Sequence, residues 1–332
     1  MRKKTFAALA AAALTIGALA GCSSQNTGDK KESAGTEDAS KGSTEKSTEA
    51  EEKALTDADI VIAGGDPAGM AAAIQAVAEG TDPSKILVIG KGESLSGDSM
   101  NAVDTAEQAE AGIEDTVESY IADTMKAGGE KNNQEMAEYL GESGREALDW
   151  VKELGVEFEG TVTQAEGSST ARSYQAAAGK NLGEEIQKKL EEKYSSLKVN
   201  VAEDASLAQV LYGSDGEVTG VKIKSADGEQ EITCRSLVVT DLESIDLLKD
   251  LAVTYVTDEE GKNTGIVVDS CASAITSDGG EIPGLYGAGE VIDAALHGDK
   301  ALAGNELTGV ILFGTTAGTE SSIYAQENVP EK

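Results

Sequence analysis

Histidine and tryptophan each occur once in 332 residues, cysteine three times and proline four times. Each scarcity excludes something. A single histidine makes a His-ligated metal centre untenable. Three cysteines, none in a CxxC pair, exclude a zinc ribbon and a disulfide-stapled mini-domain. Positive charge is scarce as well. With 27 Lys and Arg against 60 Asp and Glu the net charge is −33, so charge attracts the chain neither to nucleic acid nor to an anionic lipid surface. What is present is a hydrophobic fraction of 39% and 38 glycines, enough for a core of ordinary size in one large or two modest domains.

The first 21 residues read as an address. Arg2, Lys3 and Lys4 precede an apolar stretch over 6–20 that is too short to span a bilayer stably but suits an export signal. Leu19-Ala20-Gly21-Cys22 resembles a bacterial lipobox. That resemblance implies cleavage before Cys22, diacylation of its thiol and anchoring on the extracytoplasmic side of a bacterial cell membrane; the alternative is a signal peptide with a chance cysteine. Because the chain is so acidic, the lipid and not charge would hold it there. Residues 22–56 lack aromatics and are dominated by Ser, Thr, Glu, Lys and Gly. Such a segment cannot bury enough surface to offset its ordering entropy, and reads as a disordered tether.

The body opens as a nucleotide-binding unit. Residues 59–63 form a short apolar run suited to a buried parallel strand, and a Gly-rich turn leads into an alanine-rich helix from 68 to about 79. A second apolar run over 86–89 closes a βαβ unit of the Rossmann kind. In the turn, Gly64-Gly65-Asp66-Pro67-Ala68-Gly69, the spacing is G-x-D-x-x-G: Gly64 and Gly69 hold the outer glycine positions and Asp66 stands in the middle one. A carboxylate there faces two phosphates. At ~4 Å and an effective dielectric of ~20 the repulsion is about 4 kcal/mol, roughly a thousandfold in affinity. Aspartate is also a favoured N-cap and proline a favoured first helical residue. Two readings of Asp66 therefore stand open: self-capping of the helix by occupying the anion position, or a displaced but bound dinucleotide. The acid that would grip the ribose at the end of the second strand is missing, its place taken by Gly90.

A family resemblance rests on several further stretches. Gly90-Lys91-Gly92-Glu93-Ser94-Leu95-Ser96-Gly97-Asp98-Ser99 resembles the E-K-x-x-x-x-G-G-N-S/T loop of the fumarate reductase and succinate dehydrogenase flavoproteins, in their exported fumarate-reductase-like branch. Residues 124–129 and 146–158 are similar to the family's helical stretch leading to W-L-x-x-x-G-V-x-F. Ile282-Pro283-Gly284-Leu285-Tyr286-Gly287-Ala288-Gly289-Glu290 resembles P-G-L-Y-A-A-G-E, and residues 297–305 resemble H-G-x-N-R-L-G-G-N. The resemblance implies FAD as cofactor. Gly64, Gly65, Asp66 and Gly69 would lie at the diphosphate, Gly287 and Gly289 at a close backbone approach, Glu290 at the ribityl chain, and Ser99, Asn305 and the backbone around Leu307 near the flavin. For Gly287 and Gly289 a tight strand-to-helix turn explains the residues equally well.

Periodicity fills in the rest. Met136, Leu140, Ala147, Trp150, Val151 and Leu154 predict an amphipathic helix over 133–154, and Leu182, Ile186, Leu190 and Tyr194 a shorter one. Strand-like runs at 197–201, 206–212, 217–224 and 229–233 predict a β-meander, followed by a buried strand at 237–240. The expected architecture is α/β: a Rossmann-like FAD/NAD(P)-binding fold with an inserted β-meander and no capping domain. It forms one domain over 57–328, with a core of 57–100 and 236–328 around a helical and meander region, 101–235.

What is missing bears on mechanism. In the family a mobile clamp domain lies between V-V-L-A-T-G-G and H-H-T-M-G-G and supplies the proton-donating arginine. Here residues 237–243 and 260–265 stand in those places, about sixteen residues apart, too few for a domain. The arginine of H-G-x-N-R aligns with Ala301, and the adjacent Lys300 is out of register for a bidentate carboxylate grip. Fumarate reduction thus lacks its acid and its anion clamp, and no residue is assigned a catalytic role. His297 reads as a hydrogen-bonded loop residue in preference to a catalytic one, Cys234 and Cys271 as small buried residues, and Asp241 with Glu243 and Asp258 with Glu259 and Glu260 as solvated loop acids. Three functions remain open: an FAD-dependent oxidoreductase, reduced in size and altered in substrate; a cofactor-free pseudoenzyme acting as a binding or scaffold lipoprotein beside an electron-transfer partner; and a surface solute-binding lipoprotein.

Overall fold

The apolar runs that show no alternation become strands buried on both faces. In the structure, a computed structural model that describes residues 55–329, the first half of the chain runs β1 (Ile60–Ala63), α1 (Pro67–Ala78), β2 (Ile86–Ile89), β3 (Ser99–Asn101), α2 (Ala106–Ala111), α3 (Val117–Ala127), α4 (Gln134–Glu153) and β4 (Ser173–Gln175). There follow α5 (Leu182–Leu197), β5 (Asn200–Ala202), β6 (Ser206–Tyr212), β7 (Val218–Ser225), β8 (Gly228–Thr233) and β9 (Ser236–Val239). The chain ends with β10 (Tyr255–Thr257), β11 (Asn263–Ile266), β12 (Ser273–Ile275), β13 (Glu281–Gly287), α6 (Glu290–His297) and α7 (Asn305–Glu327). The export signal, the Cys22 lipobox and all but the last two residues of the expected tether lie outside the described residues. Those last two, Leu55 and Thr56, already belong to the body: the Leu55 carbonyl accepts from Gln230 and the Thr56 carbonyl from the Thr233 amide.

Six strands form the central sheet in the order β12-β13-β9-β1-β2-β5. β1 is its axis, parallel to β2 on one side and β9 on the other, with Ile62 opposite both Val88 and Val238. Only β12 runs antiparallel. The sequence places the first meander strand at 197–201. Instead α5 continues to Leu197, Lys198 turns the chain through φ +59°, and the next residues join the edge of the parallel sheet as β5, with Val201 opposite Val88. The meander is therefore the three strands β6, β7 and β8. Between β9 and β13 the chain makes a ten-residue 3₁₀ segment (Leu242–Leu251), the hairpin β10–β11 and β12. Among the described residues there is no capping domain.

One face of the sheet carries α1 and α7, which pack backbone against backbone. A methyl group on Gly318 would lie 2.4 Å from the Ala72 carbonyl oxygen and one on Gly314 2.8 Å from that of Ala68. Small residues on both helices are what permits that distance. Beneath α3, Arg172 is fully buried. It makes a fork to Asp115 at 2.9 and 3.0 Å, lies 3.0 Å from Asp123, and stacks 5.0 Å above the Tyr120 ring.

Candidate cofactor cleft at the β1–β9 switch point

After β1 the chain builds outward through β2 and β5, then returns to the other side of β1 with β9. The crevice at the carboxyl ends of these two diverging directions is where open α/β sheets bind ligands. It holds a cavity of about 850 Å³. Its walls are the N-terminus of α1, the loop 90–96, the β5–β6 connection, the start of the 3₁₀ segment, and the first turns of α6 and α7.

Asp66 spans the switch point itself. Its Oδ1 accepts from the Gly69 amide at 2.9 Å, capping α1 with Pro67 as the first helical residue. Its Oδ2 receives the Thr240 hydroxyl at 2.6 Å from the end of β9, and the same hydroxyl lies 3.2 Å from the Ala63 carbonyl oxygen at the end of β1. Thr240 is fully buried and falls where the resembling motif has alanine. Burial raises the Asp66 pKa above the ordinary 3.8, against the lowering effect of its bonds to Thr240 and Gly69, and Asp241 adds to the rise. Loop 90–96 lies directly on this turn: a Cβ on Gly92 would be 2.1 Å from the Asp66 Cα. Gly90 takes φ +83°, a left-handed conformation in which an acid standing there would cost about 1–2 kcal/mol.

The cleft is acidic on every side. Asp241 and Glu243 face it from the end of β9, Glu290 and Asp293 from α6, Glu306 from α7, with Glu93, Glu203 and Asp204 at the rim. Among the described residues Lys91 is the one basic residue lining it, and it pairs with Asp204 at 3.2 Å and Glu203 at 3.6 Å. Enclosure, with Glu290, Glu306 and Asp66 adding repulsion, raises Asp293 to about 7. Half of that side chain (51 %) still reaches solvent in the cleft, so screening trims the rise that enclosure alone would give.

The site residues expected from sequence divide in two. Gly64, Gly65, Asp66 and Gly69 form the β1–α1 turn, and Asp66, Gly289 and Glu290 line the cleft, with Gly289 at φ +64° and Glu290 receiving the Leu242 amide at 3.4 Å. Ser99, Gly287, Asn305 and Leu307 do not line it. Ser99 pairs with Gln175 in the β3–β4 ribbon. Gly287 packs under Ile266, Val268 and Ile292, and Leu307 under Gly97. The Asn305 amide is committed inside the protein, accepting from Asn101 and Tyr120 and donating to Thr124.

Other expectations need correcting. His297 is not a loop residue but the last residue of α6. Its ring is 7% exposed and Nδ1 has no hydrogen-bond partner. Burial lowers its pKa from 6.5 to about 4. Cys234 is buried as expected, but Cys271 is exposed, and the two are not bonded to each other. Glu243 is exposed as expected, but Asp241 is half-buried: it caps the 3₁₀ segment through the Ser244 amide at 2.7 Å, and burial raises its pKa. Asp258, Glu259 and Glu260 do lie in an exposed turn, and no acid, His or Cys cluster among the described residues could hold a metal ion. Sequence reasoning passed over Thr240, Asp293 and Glu306. Thr240 alone carried a signal, a polar residue ending a buried strand where the motif has alanine.

The cleft fits FAD in size, since about 300–1,000 Å³ is usual for a cofactor site, and in placement at the switch point. The misfit is local and electrostatic, at the seat of the diphosphate. Residues 59–256 and 251–307 match the family model described as an FAD binding domain. The chain is 30% identical over 188 residues to the NADH:fumarate oxidoreductase of Klebsiella pneumoniae (strain 342), covering 54% of this chain and 20% of that protein. It is 28% identical over 170 residues to the acrylate reductase flavoprotein subunit of Shewanella woodyi, covering 50% of this chain and 33% of that protein. It thus spans a third or less of these two relatives. Among solved structures, the open conformation of a flavocytochrome c3 fumarate reductase matches with a TM-score of 0.67 at 14% identity, over 81% of this chain and 78% of that one, a likeness of fold. The chain belongs to the FAD-binding domain family of fumarate-reductase-like flavoproteins.

Proposed function

We propose that this protein is an exported, lipid-anchored FAD flavoprotein whose cofactor affinity is weakened by Asp66 and whose substrate is not fumarate. The carrying observation is the cleft at the β1–β9 switch point, in a domain that the FAD-binding family model covers almost throughout. The turn around Gly289, the loop 90–96 and the N-terminus of α1 would hold the cofactor, and a flavin bound there would supply hydride transfer. The residues around it suit other partners than a dicarboxylate. Among the described residues no arginine lines the cleft, and Glu290, Asp293 and Glu306 repel anions, so a neutral or cationic acceptor, or an electron-transfer partner with a basic surface, suits the site better. The named relatives act on fumarate and on acrylate, so family membership leaves the substrate open. Cys22 as the lipid-bearing residue rests on the sequence alone.

The test is an FAD titration of the full chain, read by visible absorbance. The wild type is expected to take up FAD and show oxidised-flavin bands. Asp66→Gly is expected to bind at least about tenfold more tightly, a fraction of the ~4 kcal/mol repulsion between a carboxylate and a phosphate. A second reading, the cofactor-free pseudoenzyme, is favoured by the carboxylate in the diphosphate seat; a colourless protein that takes up no FAD even as Asp66→Gly would decide for it.

A further inference from the structure

We propose that FAD and a proton enter this site together: the cofactor's diphosphate is accepted when Asp66 is neutral, and the chain Asp66–Thr240–Ala63 is the receptacle built for that proton. The inference rests on the flavin reading above and adds a proton to it. Its basis is donor arithmetic. The Thr240 hydroxyl has one hydrogen and two acceptors in reach, the Asp66 Oδ2 at 2.6 Å and the Ala63 carbonyl at 3.2 Å. With Asp66 ionised, the hydrogen points at the carboxylate and the hydroxyl's contact with Ala63 is lost, the Ala63 carbonyl being held by the Thr240 amide alone. With Asp66 protonated, its O–H donates to Thr240, Thr240 donates to Ala63, and Oδ1 still accepts from Gly69 at 2.9 Å. The Ala63 carbonyl keeps the Thr240 amide at 2.8 Å in either state, so the set takes up the proton without losing a bond, and only the protonated arrangement also uses the hydroxyl's contact with Ala63.

The surroundings favour the neutral form. From the end of β9 the facing charges are Asp241 and Glu243; from α6, Glu290 and Asp293; from α7, Glu306; from the loop after β2, Glu93, beside Lys91 whose charge is taken by Glu203 and Asp204 of the β5–β6 connection. The first turn of α1 contributes no charge. With no cation among the described residues bonded to it, burial pushes the carboxyl toward its protonated state and Asp241 adds to the push. A neutral carboxyl removes the repulsion that an anion would exert on a diphosphate. Thr240, in place of the motif's alanine, is then the partner that makes an aspartate tolerable in the middle glycine position.

The experiment is FAD binding to the full-length protein by flavin-fluorescence quenching, from about pH 5.5 to about pH 8.5, with circular dichroism confirming the fold at each pH. Above the Asp66 pKa the Kd is expected to rise about tenfold per pH unit, the slope of one coupled proton, and calorimetry in buffers of different ionisation enthalpy should record uptake of one proton. Asp66→Asn, which mimics the neutral form, should bind tightly and show one proton less in both readouts. Equal slopes in the two proteins would assign the proton to Asp293 or its neighbours and overturn the proposal. A pH-independent wild-type Kd would overturn it while leaving the flavin reading intact; no binding by either protein at any pH would overturn both.

Discussion

His297 is neutral in the folded chain because its ring lies between α6 and α7 with no partner at Nδ1. The nearest acid, Asp293, stands 3.9 Å from Nε2, too far for a hydrogen bond. The folded pKa of about 4 lies below the ordinary 6.5, so between those values the unfolded chain binds the additional proton. Stability contributed by the neutral ring is complete above about pH 6.5 and is lost as pH falls toward 4, up to about 3 kcal/mol. Asp66 acts in the opposite sense: its raised pKa makes the folded state bind more protons, so its contribution falls as pH rises. His297→Phe, which keeps an aromatic ring in the slot and removes the titration, is expected to lose less stability between pH 7 and pH 4.5 than the wild type, by about 2 kcal/mol in urea unfolding. The same loss in both proteins would show that another group carries the acid sensitivity.

The element that holds the cleft open is the pair α1 and α7. Because Asp66 caps α1, the helix's position against α7 fixes where the carboxyl group sits relative to Thr240. Gly318→Val would drive a branched side chain into the Ala72 carbonyl, 2.4 Å from where its Cβ must lie. The helices must then part, at a cost of about 1–3 kcal/mol or more. The urea midpoint should fall accordingly, and FAD binding should weaken more than in an exposed control such as Gly160→Ala, where a methyl group meets open space; an unchanged midpoint would mean that this contact yields. The elements themselves were largely legible in the sequence. β1, α1 and β2 announce themselves by apolar runs around a Gly-rich turn, α4 by its buried stripe, and β6 to β8 by turns of the right spacing. β5 was legible only in part: a strand is expected at 197–201, but with three residues and Val201 45% exposed, its bounds and its place in the parallel sheet carried no signal. Of the site, Asp66, Gly289 and Glu290 were legible, but most of its acids were not. The acids of the cleft come from β9, α6, α7 and the β5–β6 connection, and only the sheet order brings them together. Arg172 reads as a surface residue by type; its burial depends on Asp115 and Asp123, 57 and 49 positions away in a helical region with no motif of its own.

At the scale of the molecule, the net charge of −33 and the acids lining the cleft set up one field, and an anionic ligand must climb it before it meets Asp66. Such a field acts over the Debye length, about 30 Å at 0.01 M salt and about 3 Å at 1 M. Salt therefore removes the long-range repulsion and leaves the contact with Asp66 nearly untouched, because that group is enclosed. FAD affinity is expected to strengthen with ionic strength, by roughly three- to tenfold between about 0.02 and 0.5 M sodium chloride, with most of the change in the association rate. A site built of lysines and arginines would show the reverse. Asp66→Asn should shift the whole curve to tighter binding and keep its slope, since one neutralised carboxyl leaves the rest of the field in place; Glu290→Gln with Glu306→Gln should flatten it. A stopped-flow series over that salt range separates the two effects. If the wild-type association rate were independent of salt, the cleft acids would not be acting on the approaching cofactor, and the acidity of the chain would concern its solubility alone.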